Sequence, residues 1–213
     1  MINEFLNTVR RDFEGQDLAI AKSPEQPVQL FESWFEEAVE AQVLDPMAMN
    51  IATVDASGQP SLRVVYLKKI NEEGLTFFTD YDSQKGKELA NNPHIACNFF
   101  WVEINRQVRV LGEAEKLSRE ESVNYFNSRP KESRISAIVS NQSHETSFED
   151  LAKRRTEIEE KYKNSEPECP ENWGGYIIKA HRFEFWQGKP SRFHHRLVYD
   201  VVEGGWDKKI VAP

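Results

Sequence analysis

The chain has 213 residues, of which 39% are hydrophobic and 29% charged, with a formal net charge of −8. That length suits one domain with a sizeable core or two small ones, and the acidic balance excludes the general basic footprint of a nucleic-acid or anionic-membrane binder. No apolar run approaches bilayer-spanning length, and Met1-Ile2-Asn3-Glu4 lacks the basic-then-apolar opening of a secretory signal. The only two cysteines, Cys97 and Cys169, have no paired spacing, so the expectation is a cytoplasmic protein without disulfides or structural zinc.

Residues 1–28 are polar, with prolines at 24 and 27, and predict a mobile N-terminal arm; residues 29–213 then form a single domain. Leu30, Phe31, Trp34, Phe35, Ala38 and Val39 recur at helical spacing. From Ala48 the texture turns to short strands: Met49 to Val54, Leu62 to Lys69 and Leu75 to Thr79, split by turn-rich segments. Ser83 is placed to cap a short helix running to Ala90, and two more strands follow, His94 to Val102 and Gln107 to Leu117. Ser118-Arg119-Glu120-Glu121 reads as a capping box opening a helix that carries Tyr125 and Phe126. A polar helix is expected over Phe148 to Lys163, then strands over Gly175 to Phe185, Arg196 to Val202 and Trp206 to Val211. Closely spaced strands with helices inserted between them predict a mainly β, α+β architecture: an antiparallel barrel or sandwich, not a βαβ sheet.

Three groups of residues carry chemistry. In the second strand, Arg63-Val64-Val65-Tyr66-Leu67-Lys68 puts a cation at each end of an apolar stretch, five apart and so on opposite faces of a regular strand. Downstream, Phe78-Thr79 and Ser83-Gln84-Lys85 supply a hydroxyl, an amide, a cation and a helix start, a reasonable phosphate cradle. Taken alone, the first reads as a strand with polar ends and the second as an ordinary capped surface helix. There is neither a G-x-G-x-x-G fingerprint nor a Walker lysine loop, so a bound nucleotide has to be held by side chains.

The second group is Tyr125, Arg129 and Ser133. Tyr125 and Arg129 are four apart and predict one helix face, and Pro130 forces a turn. Phenol, guanidinium and hydroxyl suit a monophosphate, and Gln142 and Ser143 offer neutral donors for a heterocycle edge. The third group, Trp186 to Arg196, gathers an indole, Arg192, Arg196 and the imidazoles of His194 and His195, which suits an anionic aromatic ligand. Adjacent histidines diverge and no cluster completes a metal shell, and no G-x-S-x-G elbow supports a serine triad.

Together with Gln107 in Arg106-Gln107-Val108 and with Trp173-Gly174-Gly175-Tyr176, these motifs, in this order, resemble the pyridoxine (pyridoxamine) 5′-phosphate oxidase family over nearly the whole chain. The resemblance implies an FMN-binding split β-barrel homodimer with the flavin at the subunit interface. It implies oxidation of pyridoxine or pyridoxamine 5′-phosphate to pyridoxal 5′-phosphate, with dioxygen as acceptor and hydrogen peroxide as product. By position, Arg63, Val64, Val65, Tyr66, Leu67 and Lys68 are implied in FMN binding, as are Phe78, Thr79, Gln84, Lys85 and Gln107. Gln142, Ser143, Trp186 and Arg196 complete that set. Lys68, Tyr125, Arg129 and Ser133 are implied for the substrate phosphate, Arg192 and His194 for its pyridine ring and the catalytic step, and Arg10 for a lid formed by the arm.

The chain departs from the family pattern at five places, one of them Ile210, where an arginine is usual. Gln84 stands where an arginine is usual, His195 where an acidic residue is usual, Phe13 at a common tyrosine position and Phe193 at an aliphatic one. Two rival functions remain: another split-barrel flavin oxidase acting on a reduced aromatic, which needs no phosphate grip, and a non-catalytic flavin or pyridoxal-phosphate binder, which needs neither Arg192 nor His194.

Overall fold

A computed structural model describes residues 2–8, 12–15, 17–18 and 22–213. The helices are α1 (Ile2–Thr8), α2 (Pro27–Glu40), α3 (Gln84–Asn91), α4 (Arg119–Ser128), α5 (Lys131–Val139) and α6 (Phe148–Lys161). The strands are β1 (Ala48–Val54), β2 (Pro60–Tyr66), β3 (Lys69–Asn71), β4 (Gly74–Asp80), β5 (His94–Trp101), β6 (Arg106–Lys116), β7 (Trp173–Gln187), β8 (His195–Val202) and β9 (Gly205–Ile210). They hydrogen-bond in the order β2-β1-β5-β6-β7-β4-β3, with β8 on β7 and β9 on β8. The registers of β3–β4, β4–β7, β7–β8 and β8–β9 are all antiparallel, as the α+β reading expects. Among the described residues no helix is long and apolar enough to cross a membrane.

By its contacts the chain divides into two compact units. The first comprises Met1–Met49, Cys97–Leu111 and His181–Pro213. Pro27 opens α2, where a missing N–H costs nothing, and the helix buries Leu30, Phe31, Trp34 and Ala38. Phe31 meets Phe99 edge-on at 5.0 Å and Trp34 meets Phe185 at 5.2 Å. Val39, expected on the same stripe, is 53% exposed. Cys97 is buried, as its apolar setting predicts, and burial pushes its thiol up to about 12.

The second unit comprises Asn50–Ala96 and Gly112–Ala180. Ser83 caps α3 by accepting from the Gly86 N–H, and Ser118 with Glu121 forms the anticipated capping box of α4. The first half of β7 lies against β4, with Phe78 opposite Gly175 and Thr79 opposite Gly174. Glycine permits the close approach at both places: a Cβ on Gly174 would stand 2.2 Å from Tyr81 Oη, and one on Gly175 2.8 Å from Phe78 Cε1, so a neighbouring side chain would have to shift.

Three local expectations change. The strand predicted through Lys69 stops at Tyr66 and restarts at Lys69 as β3, so Arg63 and Lys68 do not share one regular strand. Arg129 is not on the helix face of Tyr125: it caps α4 in an extended conformation (ψ 150°), which the following proline enforces. Neither α5 nor α1, a short helix within the predicted arm, was expected from the sequence; α5 buries only Ile135 and Val139 and so has almost no apolar stripe to read.

Candidate active site

A cleft of about 870 Å³ opens in the second unit. Strand β2 supplies Arg63, Val64, Val65 and Tyr66, followed by Lys68 in the connection to β3. Strand β4 supplies Phe78 and Thr79, and the first turn of α3 supplies Gln84 and Lys85. Tyr125 and Arg129 enter from the end of α4, Ser133 from α5, and Gln142 and Ser143 from the loop after it. Because β2 ends at Tyr66, Lys68 reaches the same cleft as Arg63 instead of facing away from it. Leu67, buried to 8% exposure, is absent from the lining and packs in the core.

Lys85 is 5% exposed, and its ammonium donates to Gln142 Oε1 at 2.9 Å, Thr79 Oγ1 at 3.0 Å and Ser83 Oγ at 3.3 Å. All three acceptors are neutral, and no carboxylate among the described residues forms an ion pair with it. Burial first, and the nearby Arg63 charge second, lower its pKa to about 8. Asp80 and Glu88 offset its charge only in part, and a desolvated cation hydrogen-bonded to neutral groups is an anion-seeking group. Arg63 differs, since its guanidinium pairs with the buried Glu88 carboxylate at 3.1 Å.

Facing these cations is a flat aromatic wall. Phe78 stacks on Tyr125 with centroids 3.7 Å apart, and on Trp173 at 5.5 Å. Arg129 lies over Trp173 at 5.0 Å, and burial lowers its pKa. Its Nη1 is a buried donor with no hydrogen-bond partner among the described residues. The Arg129 side chain lines the cleft, and a buried guanidinium N–H without an acceptor is costly.

The remaining expected site residues belong to the first unit. Trp186 and His194 lie 4.7 Å apart, and Phe13 stands edge-on to both, at 5.4 and 5.3 Å. His194 Nδ1 accepts from the Lys189 backbone N–H at 3.0 Å, which places the neutral ring's proton on Nε2. Burial, then the Arg192 charge, lowers the His194 pKa, so the ring is neutral at physiological pH. Arg192 is exposed, at the end of a turn in which Ser191 and Arg192 both take positive φ (55° and 60°). Such backbone strain is often held at functional sites.

The N-terminal segment packs on this group at several points. Asp12 Oδ1 accepts from the Ser191 N–H at 3.1 Å, Asp17 pairs with Lys189 at 2.6 Å, and the Leu18 N–H donates to His195 Nδ1 at 3.2 Å. His195, the residue that departs from the acidic pattern, therefore faces an acidic side chain, with Asp17 Oδ1 3.9 Å from its Nε2. Arg10 lies outside the described residues. Gln107 is half-buried on β6. Arg196 is gripped in a two-pronged way by Glu184, at 2.8 and 3.1 Å, and also donates to the Ala212 carbonyl. Sequence reasoning missed Glu88 and Glu184: a single carboxylate inside a helix or strand carries no spacing signal, although Gln84 and Glu88, four apart, do share a helix face.

Comparison with known proteins shows the family of this chain. The pyridoxamine 5′-phosphate oxidase family model matches residues 35–161, and the pyridoxine 5′-phosphate oxidase C-terminal dimerisation region matches residues 173–213. A pyridoxine/pyridoxamine 5′-phosphate oxidase from Actinobacillus pleuropneumoniae serotype 5b is 46% identical over 98% of this chain and 99% of its own. One from Pseudomonas paraeruginosa is 43% identical over the full length of both. Among solved structures, PhzG from Burkholderia lata 383, in complex with tetrahydrophenazine-1-carboxylic acid, superposes with a TM-score of 0.89 at 26% identity, over 95% of this chain and all of that one. The fold is thus the antiparallel split barrel of this group, and the chain belongs to the pyridoxamine 5′-phosphate oxidase family of oxidoreductases.

Proposed function

We propose that this chain binds FMN in the cleft, as a homodimer with the flavin at the subunit interface. There it oxidises pyridoxine 5′-phosphate and pyridoxamine 5′-phosphate to pyridoxal 5′-phosphate, with dioxygen as acceptor and hydrogen peroxide as product. The observation that carries the reading is the presence in one cleft of two cations that no carboxylate among the described residues pairs with: buried Lys85, hydrogen-bonded to neutral groups, and Arg129, whose buried Nη1 has no acceptor among the described residues. Two such groups match two phosphates, one on the cofactor and one on the substrate. The aromatic wall of Phe78, Tyr125 and Trp173 suits flat rings between them.

When bound, FMN supplies the two-electron acceptor for the substrate's 4′ carbon and passes the electrons on to dioxygen. The chain's own part is binding and orientation. Lys85, Thr79, Gln84, Gln142 and Ser143 would hold the cofactor, with the Arg63-to-Lys68 segment along one wall. Arg129, Ser133, Tyr125 and Lys68 would anchor the substrate phosphate and so turn remote binding energy into alignment of the reacting carbon. Gln107, Trp186 and Arg196 would keep the flavin-binding role that the family resemblance gives them. Arg192 would orient the pyridine ring and stabilise developing charge, while neutral His194 positions it through Nε2–H. The segment around Phe13 would act as a lid, with Arg10 on it, and the enzyme would work in the cytoplasm.

An absorption spectrum tests the reading. The purified protein should carry or take up FMN, bleach on anaerobic addition of pyridoxamine 5′-phosphate, and recover in air with release of peroxide. A folded protein that ignores added FMN overturns it. PhzG's bound tetrahydrophenazine-1-carboxylic acid marks the rival reading, a reduced aromatic without a phosphate. The unmet Arg129 donor weighs against that rival.

A further inference from the structure

We propose that Glu88 is a positioning residue for the cofactor's phosphate, acting through Arg63 and Gln84. The proposal rests on the FMN reading of the cleft.

Glu88 sits on the inward face of α3, three residues beyond Lys85, and is only 5% exposed. Its carboxylate accepts from Ser61 Oγ at 2.9 and 2.7 Å, from Arg63 Nη2 at 3.1 Å, from Gln84 Nε2 at 2.8 Å, and from Thr53 Oγ1. Burial alone would raise its pKa, but these hydrogen bonds outweigh burial and hold the group below the usual carboxylate range. Four side chains thus converge on one ionised group, and two of them, Arg63 and Gln84, also line the cleft.

The Arg63 guanidinium is fixed along one edge only. Nη1 donates to Thr53 Oγ1 and to the backbone carbonyls of Ser61 at 3.3 Å and Ile51 at 3.5 Å, and Nη2 to Ser61 Oγ at 2.5 Å and to Glu88. Both hydroxyl acceptors are themselves tied to Glu88, so the carboxylate organises the side-chain part of this edge beside the two backbone carbonyls. The Nε–H has no acceptor among the described residues and is the part of this rigid fork left for a ligand. Gln84 is held in the same way, by a bond from one amide N–H to a residue one helical turn on. Where a family arginine would bring its own charge, this chain has a neutral amide whose direction Glu88 sets.

Glu88→Gln separates this role from simple packing. It keeps the shape, but an amide oxygen cannot serve four donors, and its NH₂ faces the donors of Arg63 and Gln84. A structural role for Glu88, tying β1 and β2 to α3, would weaken every flavin ligand alike. The positioning role acts only on the phosphate. Titration by flavin fluorescence, with FMN and with riboflavin, reads the difference. We expect the FMN Kd of Glu88→Gln to rise about tenfold, as for loss of one charge-assisted hydrogen bond, while the riboflavin Kd moves less than about twofold. In an Arg63→Ala background the effect of Glu88→Gln on FMN should shrink to about threefold or less, since contacting residues couple. Equal loss for both flavins, full additivity with Arg63→Ala, or tighter FMN binding each overturns the proposal. Should Glu88→Gln not fold, Glu88→Asp, which keeps the charge but withdraws it from Arg63 and Gln84, gives the same pattern at smaller size. A folded wild type that binds no FMN would overturn the cleft reading and this role with it; a wild type that binds FMN beside an unaffected variant overturns the role alone.

Discussion

Gln142 Oε1 accepts a hydrogen bond from Lys85 Nζ at 2.9 Å, joining the loop after α5 to the first turn of α3 across 57 residues of chain. The ammonium proposed to meet the cofactor's phosphate thus also sets the position of that loop. Its protonation state controls both.

The first prediction is a pH dependence of FMN binding. Lys85 has its pKa lowered to about 8, mainly by burial, so it is charged below that pH and loses its charge above it. The FMN Kd should be nearly constant from pH 6.5 to 7.5 and about tenfold larger at pH 9, if only the charged form binds well. In Lys85→Met, binding is weak and the dependence is gone. The sign for the apo protein is opposite: between about 8 and the ordinary lysine value of 10.5 the unfolded chain holds more protons. Stability therefore gains as pH rises through that window, and melts of wild type against Lys85→Met should show it.

Arg129→Ala should raise the Michaelis constant for pyridoxamine 5′-phosphate by roughly 10- to 100-fold, the worth of a charge-assisted hydrogen-bond pair, with a smaller change in kcat. Arg129→Lys should recover only part of it, because a point charge does not reproduce the fork. Steady-state kinetics decide. An unchanged Michaelis constant would favour the rival class of reduced aromatic substrates.

The sequence foretold the elements with local chemical signatures and missed those defined by tertiary context. Ser83, Ser118 and Glu121 announced their helices because a cap is a nearest-neighbour device. Helix α5 was silent because two buried residues make no stripe. Tyr125 and Arg129 both line the cleft, but Arg129 arrives from an extended cap that Pro130 imposes, not from the helix face the spacing predicts. Lys68 reaches the cleft for a similar reason, a strand ending that no periodicity announces. Glu88 and Glu184 were invisible because a buried carboxylate is known by the donors around it, and those come from distant parts of the chain.

Gly175→Ala tests the approach of β4 to β7 beneath the cleft. The new Cβ would stand 2.6 Å from Leu117 Cδ1 and 2.8 Å from Phe78 Cε1, so the Phe78 ring must shift. Overpacking of this kind costs about 1–3 kcal/mol, measurable as a lower midpoint in urea with an unchanged slope. Because Phe78 stacks on Tyr125, riboflavin and FMN should weaken together here, in contrast to Glu88→Gln.

Arg192→Ala should lower kcat by about 100-fold or more while leaving flavin content unchanged, as expected of a group acting on the substrate during turnover. Flavin content by absorbance and kcat by peroxide release separate the two effects. Normal turnover in the variant would falsify the role given to Arg192.

The last prediction concerns Phe13, whose ring stands edge-on to both Trp186 and His194. Burial is the larger cause of the lowered His194 pKa and the Arg192 charge the smaller. Removing the Phe13 ring admits water to the imidazole, which favours its charged form. In Phe13→Ala the His194 pKa should therefore rise toward its ordinary value, read directly by NMR titration of the imidazole proton. If turnover needs the neutral ring, with its proton on Nε2, the acid limb of kcat/KM moves to higher pH by the same amount. Arg192→Gln should also raise the His194 pKa, by a smaller step, because it removes the second cause and leaves burial in place. A His194 that titrates identically in wild type and Phe13→Ala would show that the N-terminal segment does not shield it in solution.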